Sequence, residues 1–251
     1  MPEFVTFALV APLASFGDLA VGERRGGWDR PGRSAVLGLI AASLGIERTD
    51  EDAHQALEQG YGLALLCHAP GTLLADYHTA QVPPTRRGRR FATRAEELAA
   101  PDLATILSRR DYRQGAWHLG ALWARGAPRW TLRELAGAMQ RPAFVPYLGR
   151  KSCPLGLPLA PHIVEAPDAV MVLRQRHLNG PEAVLRFPHR DRLWRSHAAP
   201  EASQLRVVMD RQDVPAGATI ERTEFRRDAL RSRGRWQFDL REEAVLDGGA
   251  P

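Results

Sequence analysis

Residues 83–94, with the sequence PPTRRGRRFATR, restrict the possible folds of this chain more than any other segment. The segment holds five arginines in twelve residues, and Phe91 is its only large apolar side chain. It cannot form part of a core, because buried charges need partners that apolar neighbours do not supply. We therefore predict that it is an exposed arm or a hairpin tip between two strands.

Arginine supplies nearly all of the positive charge of the chain. The formal net charge is +5, and Lys151 is the single lysine among 34 basic residues. A guanidinium group binds phosphate through two hydrogen bonds and stacks on bases, so this composition favours a nucleic-acid partner. A GC-rich genome would also enrich arginine, and the 22 glycines and 19 prolines fit that explanation. The clustering of the arginines is therefore the more informative feature.

Apolar periodicity and capping residues predict three helices. Ser34 caps a helix over residues 35–44, and Gly45 ends it in the left-handed conformation that glycine readily adopts. Thr49 caps a second, short helix. Thr131 begins the third with a capping box.

Apolar or alternating runs predict strands at residues 4–10, 61–68, 72–82, 105–108, 116–123, 169–173, 205–209 and 219–225. The second and third of these are expected to form a hairpin around the turn signal Pro70-Gly71. The order of strands and helices suits an α+β, ferredoxin-like (RRM-like) sandwich with insertions.

Cysteine and histidine usage gives no sign of a disulfide framework or a metal site. Cys67 and Cys153 are the only cysteines, and the eight histidines form no paired ligand motif. We expect neither metal nor cofactor. The N-terminal segment lacks the basic start of a signal peptide, and no apolar run approaches the ~20 residues of a membrane span. The sequence therefore predicts a cytoplasmic protein without membrane contact.

Residues 27–34, GWDRPGRS, differ from a Walker A loop at decisive positions. Arg33 stands where that loop needs lysine, and Pro31 lacks an N–H group for the phosphate cradle. A nucleotide-hydrolysing site is therefore not expected. The start of a helix beside Arg30, Arg33 and Ser34 can still bind a phosphate group, although a plain helix start explains the pattern equally well.

A second candidate site follows the arginine-rich arm. Arg109 and Arg110 supply two charges, and Tyr112 shares one strand face with Arg110. Phosphate contact combined with base stacking is what single-stranded RNA requires. An exposed strand edge is the alternative interpretation.

A third candidate is the basic turn formed by Gly149, Arg150, Lys151 and Ser152. Two cations, a hydroxyl group and free backbone N–H groups predict an anion-binding nest. Genome composition does not explain this turn, because it contains the only lysine of the chain. Tyr147, just before it, offers a stacking face.

Four stretches together resemble one known family. They are RPGRSAVLGLIAASLGI at 30–46, DYHTAQVP at 76–83, TILSRRDY at 105–112 and RPAFVPYLGRKSCPLGLPLAP at 141–161. In order and spacing they are similar to the CasD family, the Cas5 subunits of type I-E Cascade complexes in CRISPR antiviral defence. The resemblance covers roughly residues 1–165.

The resemblance implies a division of the chain, a set of RNA contacts and several partners. Residues 1–165 are expected to form a ferredoxin-like core with a long β-hairpin thumb at about 82–110. The apolar runs farther along the chain, and not the resemblance, predict a β-rich C-terminal part over residues 166–251 that packs on this core. The thumb is expected to carry Arg86, Arg87, Arg89 and Arg90. The residues expected to hold the 5′ handle of the CRISPR RNA (crRNA) are Arg30, Arg33, Ser34, Arg109, Arg110, Tyr112, Tyr147, Gly149, Arg150, Lys151 and Ser152. The expected protein partners are the backbone subunit CasC and the large subunit CasA, and the assembled complex binds target DNA.

Catalysis is not expected. Some relatives in another Cascade type cut precursor RNA with a tyrosine and a Lys-His pair, whereas Lys151 is followed here by Ser152. The resemblance therefore implies an RNA-binding subunit without catalytic residues. The alternative is a metal-independent endoribonuclease, with Tyr112 or a histidine such as His118 as general base and Lys151 stabilising the charged transition state.

Overall fold

The computed structural model describes residues 1–18, 20, 22–84, 90–182 and 205–248. Within them the chain combines helices with one large, mainly antiparallel sheet, which confirms the predicted mixture of α and β structure. Of the predicted arm, Arg86, Arg87 and Arg89 lie outside the described residues, and Arg90 is exposed.

The sheet runs in the order β6-β1-β5-β3-β7-β9-β8, with β2 and β4 pairing with β5 beside this path. All pairings are antiparallel except that of β2 with β5. The strands are β1 Glu3–Ala14, β2 Arg24–Arg25, β3 Tyr61–Ala69, β4 Thr72–Val82, β5 Ala104–Ala124, β6 His162–Glu165, β7 Arg206–Asp210, β8 Ile220–Ser232 and β9 Gln237–Asp247. The helices are α1 Arg33–Leu44, α2 Glu51–Gly60, α3 Arg94–Leu98, α4 Leu132–Gln140 and α5 Ala169–Asn179.

Strand β5 is 21 residues long and replaces the two strands predicted at 105–108 and 116–123. Its C-terminal half pairs with β3, and its N-terminal half pairs with β4. The predicted hairpin of 61–68 with 72–82 is therefore wrong. At Gly71, with a φ of 77°, the chain continues along β5 without reversing. The true hairpin is β4–β5, and β4 is exposed along most of its length.

Two hydrophobic layers cover the two faces of the sheet. On one face α1, α2 and α4 pack over alternate β1 residues such as Phe7 and Leu9. On the other face α5 packs over Trp117 and Leu119 of β5. This helix corrects the strand predicted at 169–173. The Asp168 carboxylate accepts a hydrogen bond of 2.9 Å from the Met171 backbone nitrogen and so begins a helix there.

Two of the predicted helix caps are also corrected. Helix α1 follows Gly32 without a side-chain cap, so Ser34 lies inside its first turn. Asp50, and not Thr49, caps α2 by accepting a hydrogen bond of 3.1 Å from the Ala53 backbone nitrogen. The end of α1 at Gly45, with a φ of 76°, and the capping box at Thr131 are confirmed.

A network of buried ion pairs joins β8 and β9 to the start of α1. Arg30 donates to Glu243 over 3.0 Å, and Arg241 donates to Asp228 over 2.9 Å. Asp228 also accepts a hydrogen bond of 2.7 Å from the backbone nitrogen of Arg33. Removing one member would leave another charge buried and unpaired, so the network holds the β8–β9 hairpin against α1.

Candidate nucleic-acid interface

A cleft of about 840 Å³ lies where α1 meets the β8–β9 hairpin. Residues 15–18 and the loop 145–150 form its other walls. Cationic and aromatic side chains line it together, which is the combination that single-stranded RNA requires. The lining residues with these properties include Phe16, Trp28, Tyr147, Arg150, Arg226, Arg227, Arg231, Arg233, Trp236 and Phe238.

The turn at Gly149 is fixed against the end of β1. The Ser15 backbone nitrogen donates a hydrogen bond of 3.0 Å to the Leu148 carbonyl. Gly149 has a φ of 88°, and a Cβ atom there would lie 1.7 Å from the Ser15 carbonyl oxygen. Only glycine fits this approach, and the buried Leu148 and Cys153 anchor the turn from below.

The anchored turn presents the residues of the predicted anion nest at the surface. Lys151 and Ser152 are exposed, and Arg150 is half-buried at the cleft wall. Tyr147 lines the cleft and is exposed to 38%, so its ring remains available for stacking. The structure therefore brings the predicted residues of this loop together at one mouth of the cleft.

Arg150 and Tyr112, distant in sequence, are in direct contact. The Arg150 guanidinium carbon lies 4.7 Å from the centre of the Tyr112 ring, which is exposed to only 8%. The Arg150 Nη1 atom is buried without a hydrogen-bond partner among the described residues. Tyr112 therefore orients Arg150, and its own ring is not an open stacking platform as predicted.

Arg109 and Arg110 belong to a separate basic strip on β5. β2 pairs with this part of β5, so Arg24 lies opposite Arg109 and Arg25 opposite Arg110. Arg109 is exposed, whereas Arg110 is half-buried and donates to the Ser108 hydroxyl over 3.2 Å. None of the four arginines lines the cleft. The two β2 arginines were missed because a two-residue strand leaves no periodic signal.

Arg30 and Arg33, predicted to bind RNA, point into the protein. Their exposed fractions are 4% and 3%. Arg30 donates to Glu243 over 3.0 Å, and Arg33 donates to Glu58 over 3.0 Å and to the Tyr61 carbonyl over 2.7 Å. These internal acceptors hold both guanidinium groups inside the protein, so the two arginines stabilise the fold. Of this predicted group, the half-buried Ser34 lines the cleft.

The wall of the cleft formed by β8 and β9 was not predicted to bind RNA. It contributes Arg227, Arg231 and Arg233 together with Trp236 and Phe238. In the sequence, RRDALRSRGRWQF shows the same mixture of arginines and aromatics at 226–238. This density of arginines and aromatics could have indicated the site, but it matches no recognised RNA-binding motif.

His118, one candidate general base of the alternative nuclease hypothesis, is poorly placed. His118 is completely buried, and neither of its ring nitrogens has a hydrogen-bond partner within the described ranges. Burial lowers the pKa of His118 to about 3, so the ring stays neutral near pH 7. A general base must reach its substrate, and His118 cannot do so in this conformation.

Two kinds of feature are absent from the residues that the structure describes. No group of three or more His, Cys, Asp or Glu side chains is arranged there to hold a metal ion. No helix in the described part of the chain has the length and apolar character needed to cross a membrane.

Comparisons with known proteins agree on one family. The family model described as "CRISPR-associated protein (Cas_Cas5)" matches residues 4–236. The Escherichia coli (strain K12) protein "CRISPR system Cascade subunit CasD" is 31% identical over 176 residues, which cover 67% of this chain and 74% of that protein.

Two solved structures share the fold. A chain of a "CRISPR RNA-guided surveillance complex" has a TM-score of 0.63 at 20% identity, covering 99% of this chain and 91% of that chain. The chain in "Crystal structure of Cas protein" has a TM-score of 0.54 at 21% identity, covering 99% and 97%. At these identities the structures show the fold alone, whereas the family model and the E. coli relative show that this chain belongs to the Cas5 family of CRISPR-associated proteins.

Proposed function

We propose that this chain is a non-catalytic, crRNA-binding subunit of a type I-E Cascade surveillance complex in the cytoplasm. The observation that carries this proposal is the anchored turn at Gly149, which presents Arg150 and Lys151 beside a cleft lined by cations and aromatics. The named function of the E. coli relative, a subunit of Cascade, supports the same role. In this role the chain holds the 5′ handle of the crRNA along the cleft.

The strand order supports a ferredoxin-like core for this subunit. The chain passes through β1, α1, β3, β5, α4 and β6, with α2 inserted, and these strands lie in the order β6-β1-β5-β3. This is the arrangement of a split βαβ unit, with α1 and α4 packed on one face of four antiparallel strands. We propose residues 1–165 as this core and 166–251 as the part packed on it.

The β4–β5 hairpin is the proposed thumb. With 11 residues in β4 and about 3.3 Å per residue, its arms extend roughly 35 Å. Its strands flank the arginine-rich residues 83–94, and β4 begins at Thr72, ten residues before the predicted bounds of 82–110. We propose that the thumb crosses the guide RNA and contacts CasC, that the rest of the subunit contacts CasA, and that target DNA binds to the assembled complex.

The basic strip of Arg24, Arg25, Arg109 and Arg110 extends the RNA surface beyond the cleft. The Ser15 hydroxyl donates to the Asp111 carbonyl over 3.2 Å, so the end of the strip is joined to the cleft wall. Arg24 is close to one carboxylate, that of Asp111 at 3.8 Å, and is largely exposed. We therefore propose that the strip binds phosphates next to the part of the RNA held in the cleft.

The proposed site predicts a large loss of RNA affinity when Arg150→Ala and Lys151→Ala are combined. Charge-assisted hydrogen bonds to phosphate are worth roughly 1.5–3 kcal/mol each, so binding should weaken by at least about tenfold. Filter binding with RNA of the CRISPR repeat measures the change. The matched control is Arg129→Ala with Arg133→Ala, since both arginines are exposed and lie outside the cleft.

If the Arg150 and Lys151 variant binds as tightly as the control and still assembles into the complex, the cleft is not the handle site. Incubating the purified protein with repeat RNA in EDTA tests the nuclease alternative. Specific cleavage that is lost in a Tyr112→Phe or Lys151→Ala variant would contradict a purely binding role.

A further inference from the structure

Two arginines stack on the same tryptophan at the edge of the cleft, where Arg233 and Trp236 line the cleft and Arg48 lies beside it. The guanidinium carbon of Arg48 lies 4.8 Å from the centre of the Trp236 ring, and that of Arg233 lies 4.5 Å from it. Arg48 precedes α2, whereas Arg233 and Trp236 belong to the turn between β8 and β9. The fold therefore brings two like charges together from distant parts of the chain.

Neither guanidinium group forms an ion pair with a carboxylate among the residues that the structure describes. The Arg233 Nε atom is buried without a hydrogen-bond partner, and burial together with the charge of Arg48 lowers the pKa of Arg233. Two neighbouring cations whose guanidinium groups form no ion pair repel each other in the free protein, and an anion bound beside them relieves that repulsion.

The Glu51 carboxylate beside this pair binds the backbone of the turn. Glu51 accepts hydrogen bonds of 2.9 Å from the backbone nitrogens of Arg233 and Gly234. It therefore fixes the main chain of the turn and forms no ion pair with the Arg233 guanidinium, which stacks on Trp236. Gln55 adds a hydrogen bond of 2.9 Å to the Arg231 carbonyl, so α2 holds the turn in place before any ligand binds.

The backbone at Trp236 is left-handed within the turn between β8 and β9. Its φ is 56°, a conformation that bulky side chains rarely adopt, and its side chain is exposed to 55%. The surrounding hydrogen bonds maintain this conformation. An exposed tryptophan held in a strained turn keeps both arginines at the edge of the cleft, whereas a relaxed surface turn would let them separate.

We infer that Arg48, Arg233 and Trp236 form a phosphate clasp that binds one phosphodiester group of the RNA. The inference rests on the proposed function and assigns the C-terminal hairpin a direct part in it. Guanidinium groups match the geometry of phosphate oxygens and offer parallel N–H donors. Arg233 and Trp236 line the same cleft as the Gly149 turn, so one RNA strand can contact both walls.

The test combines Arg48→Gln with Arg233→Gln in the full chain and measures RNA binding from low to high salt. Each phosphate contact in a single strand contributes about 0.7 to the salt slope, so the slope should fall by about 0.7. Affinity at low salt should fall about tenfold. The control is Arg129→Gln with Arg133→Gln, because Arg129 also stacks on a tryptophan, Trp130, at 4.8 Å.

Thermal unfolding separates a phosphate clasp from a purely structural contact. Without RNA, Arg48→Gln should leave the melting temperature unchanged or raise it, since it removes a repulsive charge. A marked drop would show that the arginine serves the fold and would overturn the inference. Should the double variant fail to fold, Arg48→Gln alone must still lower the salt slope, because this side chain is exposed.

The remaining outcomes distinguish the inference from the proposed function. If the clasp variant keeps the wild-type affinity and salt slope while the Arg150 and Lys151 variant loses affinity, only the clasp is refuted. If the wild-type chain binds no repeat RNA at any salt concentration, both are refuted. If RNA binding is unchanged but the assembled complex loses a protein subunit, the clasp binds an acidic protein side chain, and its assignment to RNA is wrong.

Discussion

Replacing Gly149 with alanine should destabilise the fold and the proposed RNA site together. The new Cβ atom would lie 1.7 Å from the Ser15 carbonyl oxygen, which is a backbone atom and cannot rotate away. Relief requires the turn to move off β1, which breaks the 3.0 Å hydrogen bond from the Ser15 nitrogen to the Leu148 carbonyl. The φ of 88° adds strain for any residue with a side chain.

The expected cost follows from these three effects. A left-handed backbone costs about 1–2 kcal/mol for alanine, overpacking about 1–3 kcal/mol, and a lost hydrogen bond about 1 kcal/mol. Together they predict a loss of about 3–6 kcal/mol in the free energy of unfolding. For a chain of this size that corresponds to a fall of about 10 °C in melting temperature.

Thermal or denaturant unfolding of the Gly149→Ala variant measures the loss, with Gly137→Ala as the matched control. Gly137 lies on α4, and a Cβ atom there meets nothing within 4 Å. The control should therefore gain about 0.5–1 kcal/mol from better helix propensity. A Gly149→Ala variant that melts within about 2 °C of the wild type would refute the close packing of the turn on β1.

Two further predictions concern buried ionisable side chains, His118 and Asp228. His118→Leu should unfold with nearly wild-type stability at pH 7, because the buried ring is neutral and its nitrogens lack partners. Its pKa of about 3 lies below the ordinary ~6.5, so wild-type stability falls as pH drops through this window, and the variant should avoid about 2 kcal/mol of the loss between pH 7 and pH 5 in denaturant titrations. Asp228→Asn should lower the unfolding free energy by about 3–5 kcal/mol, against less than about 1 kcal/mol for the surface variant Glu221→Gln. Burial alone would raise the pKa of Asp228, but Arg241 and Arg226 outweigh it and lower that pKa, so this contribution is present at neutral pH and is lost as pH falls below about 4.

The sequence correctly predicted the helix boundaries that depend on contacts between neighbouring residues. Gly45 and Thr131 mark helix boundaries through contacts within four residues, and both were identified from the sequence. The strand predicted at 169–173 failed because five apolar residues fit a buried strand and a helix equally well. The carboxylate of Asp168 favours the helix because it caps the first turn.

The main error of the sequence prediction concerned strand pairing, because a turn signal does not show which strands pair with each other. Pro70-Gly71 marks an irregular point, but a tight reversal and a kink between two collinear strands share that signal. The structure resolves it through β5, where Ala69 pairs with Trp117 and Thr72 pairs with Gln114. The partner strand lies more than thirty residues farther along the chain than the turn itself, as these residue numbers show.

The sequence also did not distinguish arginines that stabilise the fold from arginines available to bind RNA. Sequence placed Arg30 and Arg150 together among the residues expected to bind RNA. The structure separates them because Glu243, far along the chain, accepts from Arg30, whereas Arg150 stacks on Tyr112 and keeps an unpaired Nη1. Long-range acids of this kind cannot be assigned to a given arginine from spacing alone.

The position of β7 has a consequence for how the chain is made. β7 pairs with β3, with Met209 opposite Ala64, so the core sheet is extended by a segment that is synthesised much later. Ribosomes add roughly 5–20 residues per second, so several seconds pass between the synthesis of β3 and the synthesis of β7. During that time an apolar strand presents unpaired N–H and C=O groups, which can pair with another chain. The yield of folded subunit therefore depends on how quickly β7 reaches this edge, a matter of timing during translation.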